Sequence, residues 1–307
     1  MTPSPSALRT VEEQLGDVLA AVRPLASVTL ALEDAVGRTL RAPLRAALDI
    51  PVFDNSAMDG FAVRFADVAA ATGDAPAVLR VVADLPAGTS DDPRLGAGEA
   101  ARIMTGSPVP ADADAIVPFE DTAGGLADSL HTARVLRAPA GPGVFVRRAG
   151  DDVHAGDVLL DEGIALGPLQ IAAAAAAGVA AATVSARPRV AIVSTGSELA
   201  PVGAPLRRGQ IPESNGVLLA GLAAAAGAEV VARLSVDDEG AALRDAVAAL
   251  LAASVDAVVF SGGVSAGAFE VVRTELSGAM TFSRVAMQPG KPQGFGMLPT
   301  PSGAALL

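Results

Sequence analysis

The chain has 307 residues, 51% of them hydrophobic, and a formal net charge of -12; this length exceeds one ordinary core and predicts two or three domains. The acidic balance argues against nucleic acid as the main partner, since phosphate backbones are bound by clustered positive charge. Cysteine is absent and the histidines are only His131 and His154, which excludes disulfides, thiolate metal sites, a zinc site and a histidine-based triad, so any metal is hard and held by oxygen.

At the N-terminus, "MTPSPSALRT" lacks the basic-then-apolar order of a signal peptide, and a cytoplasmic protein is expected. Thr10 to Ala26 then reads as an amphipathic helix, with Val11, Leu15, Val18, Leu19, Val22 and Leu25 on a 3.6-residue period and Thr10 with Glu13 forming a capping box. Residues 51–144 alternate short β-type runs such as "AVLRVVADL" and "GVFVRR" with Gly-, Pro- and Asp-rich loops, the texture of a small β-rich domain.

Two of those loops carry chemistry. "PVFDNSAMDGFA" at 51–62 crowds Asp54, Asn55, Ser56 and Asp59 together without helical or strand period; the twelfth position counted from Asp54 is Phe65 rather than glutamate, so it is no EF-hand. "ARIMTGSPVPADADAIVPFE" presents Thr105, Gly106 and Ser107 at a strand end, stiffened by Pro108 and Pro110. Together they read as one wall of a cleft. The segment "GDVLLDEGIALGPLQIAAAAAAGVAA" returns to helix, with Pro168 in its first turn and Gly178 at its end, and its alanine suits a packed helix better than a membrane span.

From Arg187 on, strands ("PRVAIVSTG", "AEVVARLSV", "VDAVVFSGG", "MTFSRVAM") alternate with helices ("SNGVLLAGLAAAAG", "DEGAALRDAVAALLAAS", "AGAFEVVRTELSG"). This rhythm predicts a doubly wound, mainly parallel α/β sheet, which binds ligands beyond the carboxyl ends of its strands. Two loops there have suitable chemistry: "STGSEL", with Thr195, Gly196, Ser197 and Glu198, and "SGGVSAG", with Ser261, Gly262, Gly263 and Ser265. Neither is a Walker loop or a dinucleotide fingerprint. Asp237, Asp238 and Glu270 stand nearby, and each suits a helix cap or a Mg²⁺ ligand that shares the ion with substrate phosphate. Beyond them, a chain with 21 arginines keeps one lysine, Lys291 in "QPGKP", a compact point charge suited to a small anion.

"FDNSAMDGFA", "RIMTGSPVP", "RRAGDDV", "STGSEL", "GQIPESN", "SGGVSAG" and "PGKP" follow one another over roughly residues 10–296 in an order that resembles the molybdopterin molybdenumtransferases, the MoeA and gephyrin group. The resemblance implies insertion of molybdate into adenylylated molybdopterin with release of AMP and assistance from Mg²⁺. It implies a homodimer in which the "DNSAMDG" loop of one subunit faces the α/β domain of its partner, and contact with other molybdenum-cofactor biosynthesis proteins. Functional acids then fall on Asp59, Asp152, Glu198 and Asp238, with Thr105 beside Asp59, and Glu270 in a position where many members carry aspartate. The pterin and phosphate loops fall on Thr195–Ser197, on Ser261, Gly262, Gly263 and Ser265, and on Pro289 and Gly290; the molybdate-side lysine falls on Lys291.

The implied organisation is an elongated linking and dimerisation region (1–50 and 145–187), a β-rich domain (51–144) and an α/β molybdopterin-binding domain resembling MogA (188–307). Departures from the family pattern are Ala268 at a frequently acidic position and Gln288 where a second lysine is common. The sequence also stops at "LPTPSGAALL", ahead of the family's "GLPGNPVS"-like loop and its C-terminal β domain, so a truncated chain or a divergent short form is expected. A transferase and a non-catalytic pterin-binding or scaffolding protein differ in whether AMP is released. An adenylyltransferase built on the α/β domain alone would consume ATP and leave residues 51–144 unexplained.

Overall fold

A computed structural model describes residues 8–127, 129–265, 270–301 and 303–307. The chain divides into two compact units, one of residues 1–29, 37–41 and 183–307, the other of residues 30–36 and 42–182. Ala268 lies outside the described residues, as does the start of the helix expected at 266–278; the described part is helical over Val271–Glu275.

In the unit of residues 42–182 a five-stranded sheet runs in the order Ala115–Pro118, Gly60–Val63, Glu99–Ile103, Ala77–Leu85, Thr132–Val135. All its pairings are antiparallel except Ala77–Leu85 with Glu99–Ile103. Gly60–Val63 is buried on both faces, so the two-residue period of the strand feeds two cores. Phe61 and Val63 join Val68, Leu79, Val117 and Val135 on one side, while Ala62 joins Leu85, Ile103 and Ile116 on the other. Gly60 is required where it stands, because a Cβ there would lie 2.1 Å from the Val117 carbonyl oxygen. The helix Pro168–Ala176 begins with Pro168 in its first turn, as the sequence predicts. The residues before it include a short strand, Val158–Leu160, paired with Leu44–Arg45, which the sequence reading did not separate from the helix.

The other unit is built on a seven-stranded sheet ordered Leu8–Arg9, Met280–Val285, Pro292–Thr300, Gly303–Leu306, Ala257–Ser261, Arg189–Thr195, Glu229–Val236. Val190 to Val193 are buried as a continuous apolar run, as a central parallel strand covered on both faces demands. Helices Asn215–Ala225 and Gly240–Ala252 connect the parallel strands, and Leu243, Val247 and Leu250 place the buried stripe of the latter in the core. The sheet is mainly parallel, but Met280–Val285, Pro292–Thr300 and Gly303–Leu306 pair antiparallel. Glycines and prolines in the latter two strands mask their strand character in the sequence.

The first helix spans Val11–Ala21 and carries the predicted Thr10/Glu13 capping box. Its buried residue, however, is Gln14, whose Oε1 accepts hydrogen bonds from Arg9 and from the Ser283 hydroxyl (2.9 Å). The predicted apolar stripe lies outward instead, with Leu19 60% exposed. Among the described residues no helix is long and apolar enough to cross a membrane.

Candidate active site

Three loops leave the carboxyl edge of the parallel strands side by side, because the register pairs Ser194 with both Ser235 and Ser261. Here lies a small cleft of about 180 Å³ lined by Ser194, Thr195, Glu198, Glu213, Asn215, Ser261 and Gly262 among others. Its floor is polar and yet buried. Ser194, Thr195 and Glu213 are each less than a tenth exposed, and Thr195 Oγ1 is buried with no hydrogen-bond partner among the described residues. An unsatisfied buried hydroxyl costs about 1–3 kcal/mol, so this atom marks a place where a bound group can complete the structure.

The glycines over that hydroxyl are there for contact. Gly262 (φ +96) would bring a Cβ within 2.5 Å of the Thr195 carbonyl oxygen and 2.8 Å of Thr195 Oγ1, and Gly263 (φ +65) would bring one within 2.9 Å of the same hydroxyl. Gly196 (φ +153) leaves room for the Glu198 carboxylate, which a Cβ would meet at 2.5 Å. Asn215 Nδ2 donates to Ser261 Oγ at 2.8 Å, tying the start of helix Asn215–Ala225 to the glycine loop.

The acids flagged near this edge hold loops. Asp238 Oδ2 accepts from the Ser197 N–H (3.1 Å) while its own N–H donates to Ser197 Oγ (3.3 Å). Asp237 accepts from the Glu239 N–H (3.0 Å), and Glu270 Oε2 accepts from the Ser265 N–H (2.8 Å). Asp237, Asp238 and Glu270 thus each hold a loop through a backbone N–H; among the described residues no group of three acidic or imidazole side chains is placed to hold a metal. These bonds are the caps and loop ties that were one of the two readings of the sequence. Lys291 follows Pro289 and Gly290 and directly precedes strand Pro292–Thr300, its carbonyl accepting from the Val285 N–H (2.7 Å).

In the other unit, the two loops predicted to form a wall do meet. Asp59 Oδ1 accepts from both the N–H and the hydroxyl of Thr105, each at 2.7 Å, and these bonds, the N–H first, hold the Asp59 carboxyl below the usual aspartate range. Asp54, the other acid of "DNSAMDG", ties the loop to a distant segment. Asp54 accepts from the Ala149 N–H (2.8 Å) and from Arg148 (2.5 Å), which hold its carboxyl low in the same way. Asn55–Ser56 pairs with Val146–Arg147, and the Ser56 N–H donates to the Ser107 carbonyl (3.0 Å) while the Ser56 carbonyl accepts from the Gly106 N–H (2.8 Å). Phe145, in the left-handed region at φ +59, accepts from the Ala57 N–H through its carbonyl, a strained conformation kept where it fastens this loop. Asp152 lies on a larger cleft of about 560 Å³ with Asp151, Arg147, Asn55, Gly106 and the apolar Ile50 to Phe53.

Glu213, Asn215 and the Asp54–Arg148 pair were not singled out from sequence. Glu213 did carry one signal, as a lone acid directly ahead of a predicted helix start.

The fold and both clefts define a multidomain protein whose α/β domain carries a ligand cleft at the carboxyl edge of its parallel strands. Residues 9–178 match the MoeA N-terminal region (domain I and II), and residues 191–305 match a probable molybdopterin binding domain. The chain is 44% identical over 297 residues to molybdopterin molybdenumtransferase 2 of Mycobacterium tuberculosis, covering 94% of this chain and 72% of that one. It is 40% identical over 268 residues to the molybdopterin molybdenumtransferase of a Nostoc species, covering 86% and 60%. A crystal structure of the molybdopterin biosynthesis MoeA protein from Pyrococcus horikoshii superposes with a TM-score of 0.78 at 29% identity, over 98% of this chain and 74% of that one. The chain belongs to the molybdopterin molybdenumtransferase family.

Proposed function

We propose that this chain acts in molybdenum cofactor biosynthesis, placing molybdenum from molybdate onto the dithiolene of adenylylated molybdopterin with release of AMP. The observation that carries this reading is the buried, unpartnered Thr195 hydroxyl beneath the Gly262–Gly263 turn, in a domain whose relatives are named for this substrate. Positioning and charge do the chemistry, since the chain has no cysteine to act as nucleophile. Thr195, Ser197 and the backbone of Gly262 and Gly263 bind the pterin and phosphate end. Glu198, Asp238 and Glu270 shape the edge of the cleft, and Lys291 offsets the charge of molybdate.

Mg²⁺ supplies charge neutralisation of phosphate when it is bound. Among the described residues no three acids are grouped for it, so one or two of Asp237, Asp238 and Glu270 would hold the ion together with substrate phosphate oxygens, and no step here runs through it. We place Asp59, Thr105 and Asp152 in the same reaction through a homodimer, in which the loop of one subunit completes the α/β cleft of the other. The cytoplasm, and contacts with other enzymes of the route, belong to the same reading.

The test is to incubate the chain with adenylylated molybdopterin and measure AMP as molybdate is varied. Molybdate-dependent AMP release is expected. Pterin binding without AMP release at any molybdate concentration overturns the transferase reading.

A further inference from the structure

We propose that Glu213 is a positioning residue that sets the spacing of the two ligand loops of the α/β cleft. Among the described residues it is the one carboxylate among the buried side chains, at 8% exposure. Burying a charge is costly unless donors satisfy it. Two do so on a single oxygen: Oε1 accepts from Ser194 Oγ at 2.9 Å and from the Gly216 N–H at 2.6 Å. Gly216 leaves room for this, because a Cβ there would lie 2.7 Å from Glu213 Oε2 and would press the carboxylate away. The carboxylate also sits at the N-terminal end of the 11-residue helix Asn215–Ala225, whose dipole favours negative charge.

The connections run to both loops. Ser194 directly precedes Thr195, the residue with the unpartnered hydroxyl, on strand Arg189–Thr195. Asn215, fixed by the helix start that Glu213 caps, donates to Ser261 Oγ, and Ser261 directly precedes Gly262. One carboxylate thus joins the ends of two neighbouring strands through one helix terminus. The floor made by Thr195 and Gly262 is held at a set width for the phosphate-bearing pterin. This inference rests on the proposed function for the identity of that ligand.

The experiment uses the full chain with Glu213→Ala, Glu213→Gln and Ser194→Ala. It measures amide hydrogen exchange at 194–198, 214–218 and 261–265, molybdopterin affinity by fluorescence, and Tm. Glu213→Ala is expected to speed exchange in all three segments and to weaken molybdopterin about tenfold, the size of one lost charged hydrogen bond. Glu213→Gln keeps an oxygen that accepts from both donors, so it restores affinity to within about threefold of wild type and restores slow exchange in both ligand loops. Ser194→Ala keeps the helix cap, so exchange rises at 194–198 and affinity falls while 214–218 stays protected. Faster exchange confined to 214–218 with unchanged affinity shows a helix cap only and overturns the proposal. So does a Glu213→Gln variant as impaired as Glu213→Ala. If the wild-type chain binds no molybdopterin, the proposed function falls, and the exchange pattern alone then sustains or overturns the role of Glu213.

Discussion

Asp59 and Thr105, 46 positions apart in sequence, are joined by two hydrogen bonds of 2.7 Å to the same carboxylate oxygen, one from the Thr105 backbone and one from its hydroxyl. The backbone bond is the larger cause of the low Asp59 pKa. Thr105→Val removes only the hydroxyl bond, so the Asp59 pKa should rise toward its ordinary value and stay below it, as NMR titration of the carboxyl carbon will report. A carboxyl whose folded pKa is depressed adds stability that is present above its unfolded pKa and is lost as pH falls through the folded value. Wild type should therefore lose this contribution only below about pH 3.9. In Thr105→Val the contribution is smaller and disappears at a higher pH. A pKa that does not move would show that the hydroxyl bond does not form.

Gly262 and Gly203 both have positive φ, but only Gly262 is overlaid by other atoms. Gly203→Ala should cost about 1–3 kcal/mol, the usual range for a residue held in the left-handed region. Gly262→Ala should cost more, since the backbone oxygen of Thr195 cannot turn aside, and it should abolish molybdopterin binding. Thermal melts with a fluorescence titration separate the two effects; equal melts and retained binding would contradict the contact.

Lys291→Ala should weaken the use of molybdate more than the binding of molybdopterin. Losing one charge-assisted contact is worth on the order of 1.5–3 kcal/mol. Molybdate KM and molybdopterin Kd, measured side by side, decide this. An equal loss of both removes the assignment of Lys291 to the oxyanion.

A homodimer with composite sites predicts complementation. Asp59→Ala and Glu198→Ala homodimers should each be impaired, and a mixed dimer with one variant per subunit should recover one intact site of two. If both residues act within one subunit, every site of the mixed dimer is defective and no AMP release returns. If they are only loop ties, Tm falls in each variant and mixing rescues nothing. Light scattering comes first, because a monomer at micromolar concentration removes the shared site.

The α/β half was legible because its signals are local. Apolar runs of strand length, helices of regular period and glycine turns after strands recur along the sequence, and the described helices Asn215–Ala225 and Gly240–Ala252 and strands Arg189–Thr195, Glu229–Val236 and Ala257–Ser261 fall where that pattern puts them. The hairpin Pro292–Thr300/Gly303–Leu306 was not, since "PQGFGMLPT" has no alternation and its pairing is set by neighbouring strands. The period of the first helix gave its existence and its cap, yet not the face turned inward. That face is decided by Gln14 meeting Ser283, 269 positions away. Likewise the two polar loops of the β-rich domain could be read as one wall with Thr105 beside Asp59, whereas the atoms that join them, and the closing of Ser194 and Gly216 onto Glu213, are products of tertiary structure.

The seven-stranded sheet takes its first strand, Leu8–Arg9, from the start of the described chain and pairs it with Arg284 and Val285, while residues 42–182 form a unit with its own cores between the two. During synthesis that inserted unit is complete once Ala182 has left the ribosome, but Leu8 and Arg9 must wait for about a hundred further residues, roughly 5–20 s at translation rates of ~5–20 residues per second. Over that interval the helix Val11–Ala21 has no sheet edge to meet, and Gln14 has no Ser283. The unit of the seven-stranded sheet therefore matures after the inserted one, and a ribosome stalled before Met280 would hold a finished β-rich body on a chain whose N-terminal segment is still open to protease.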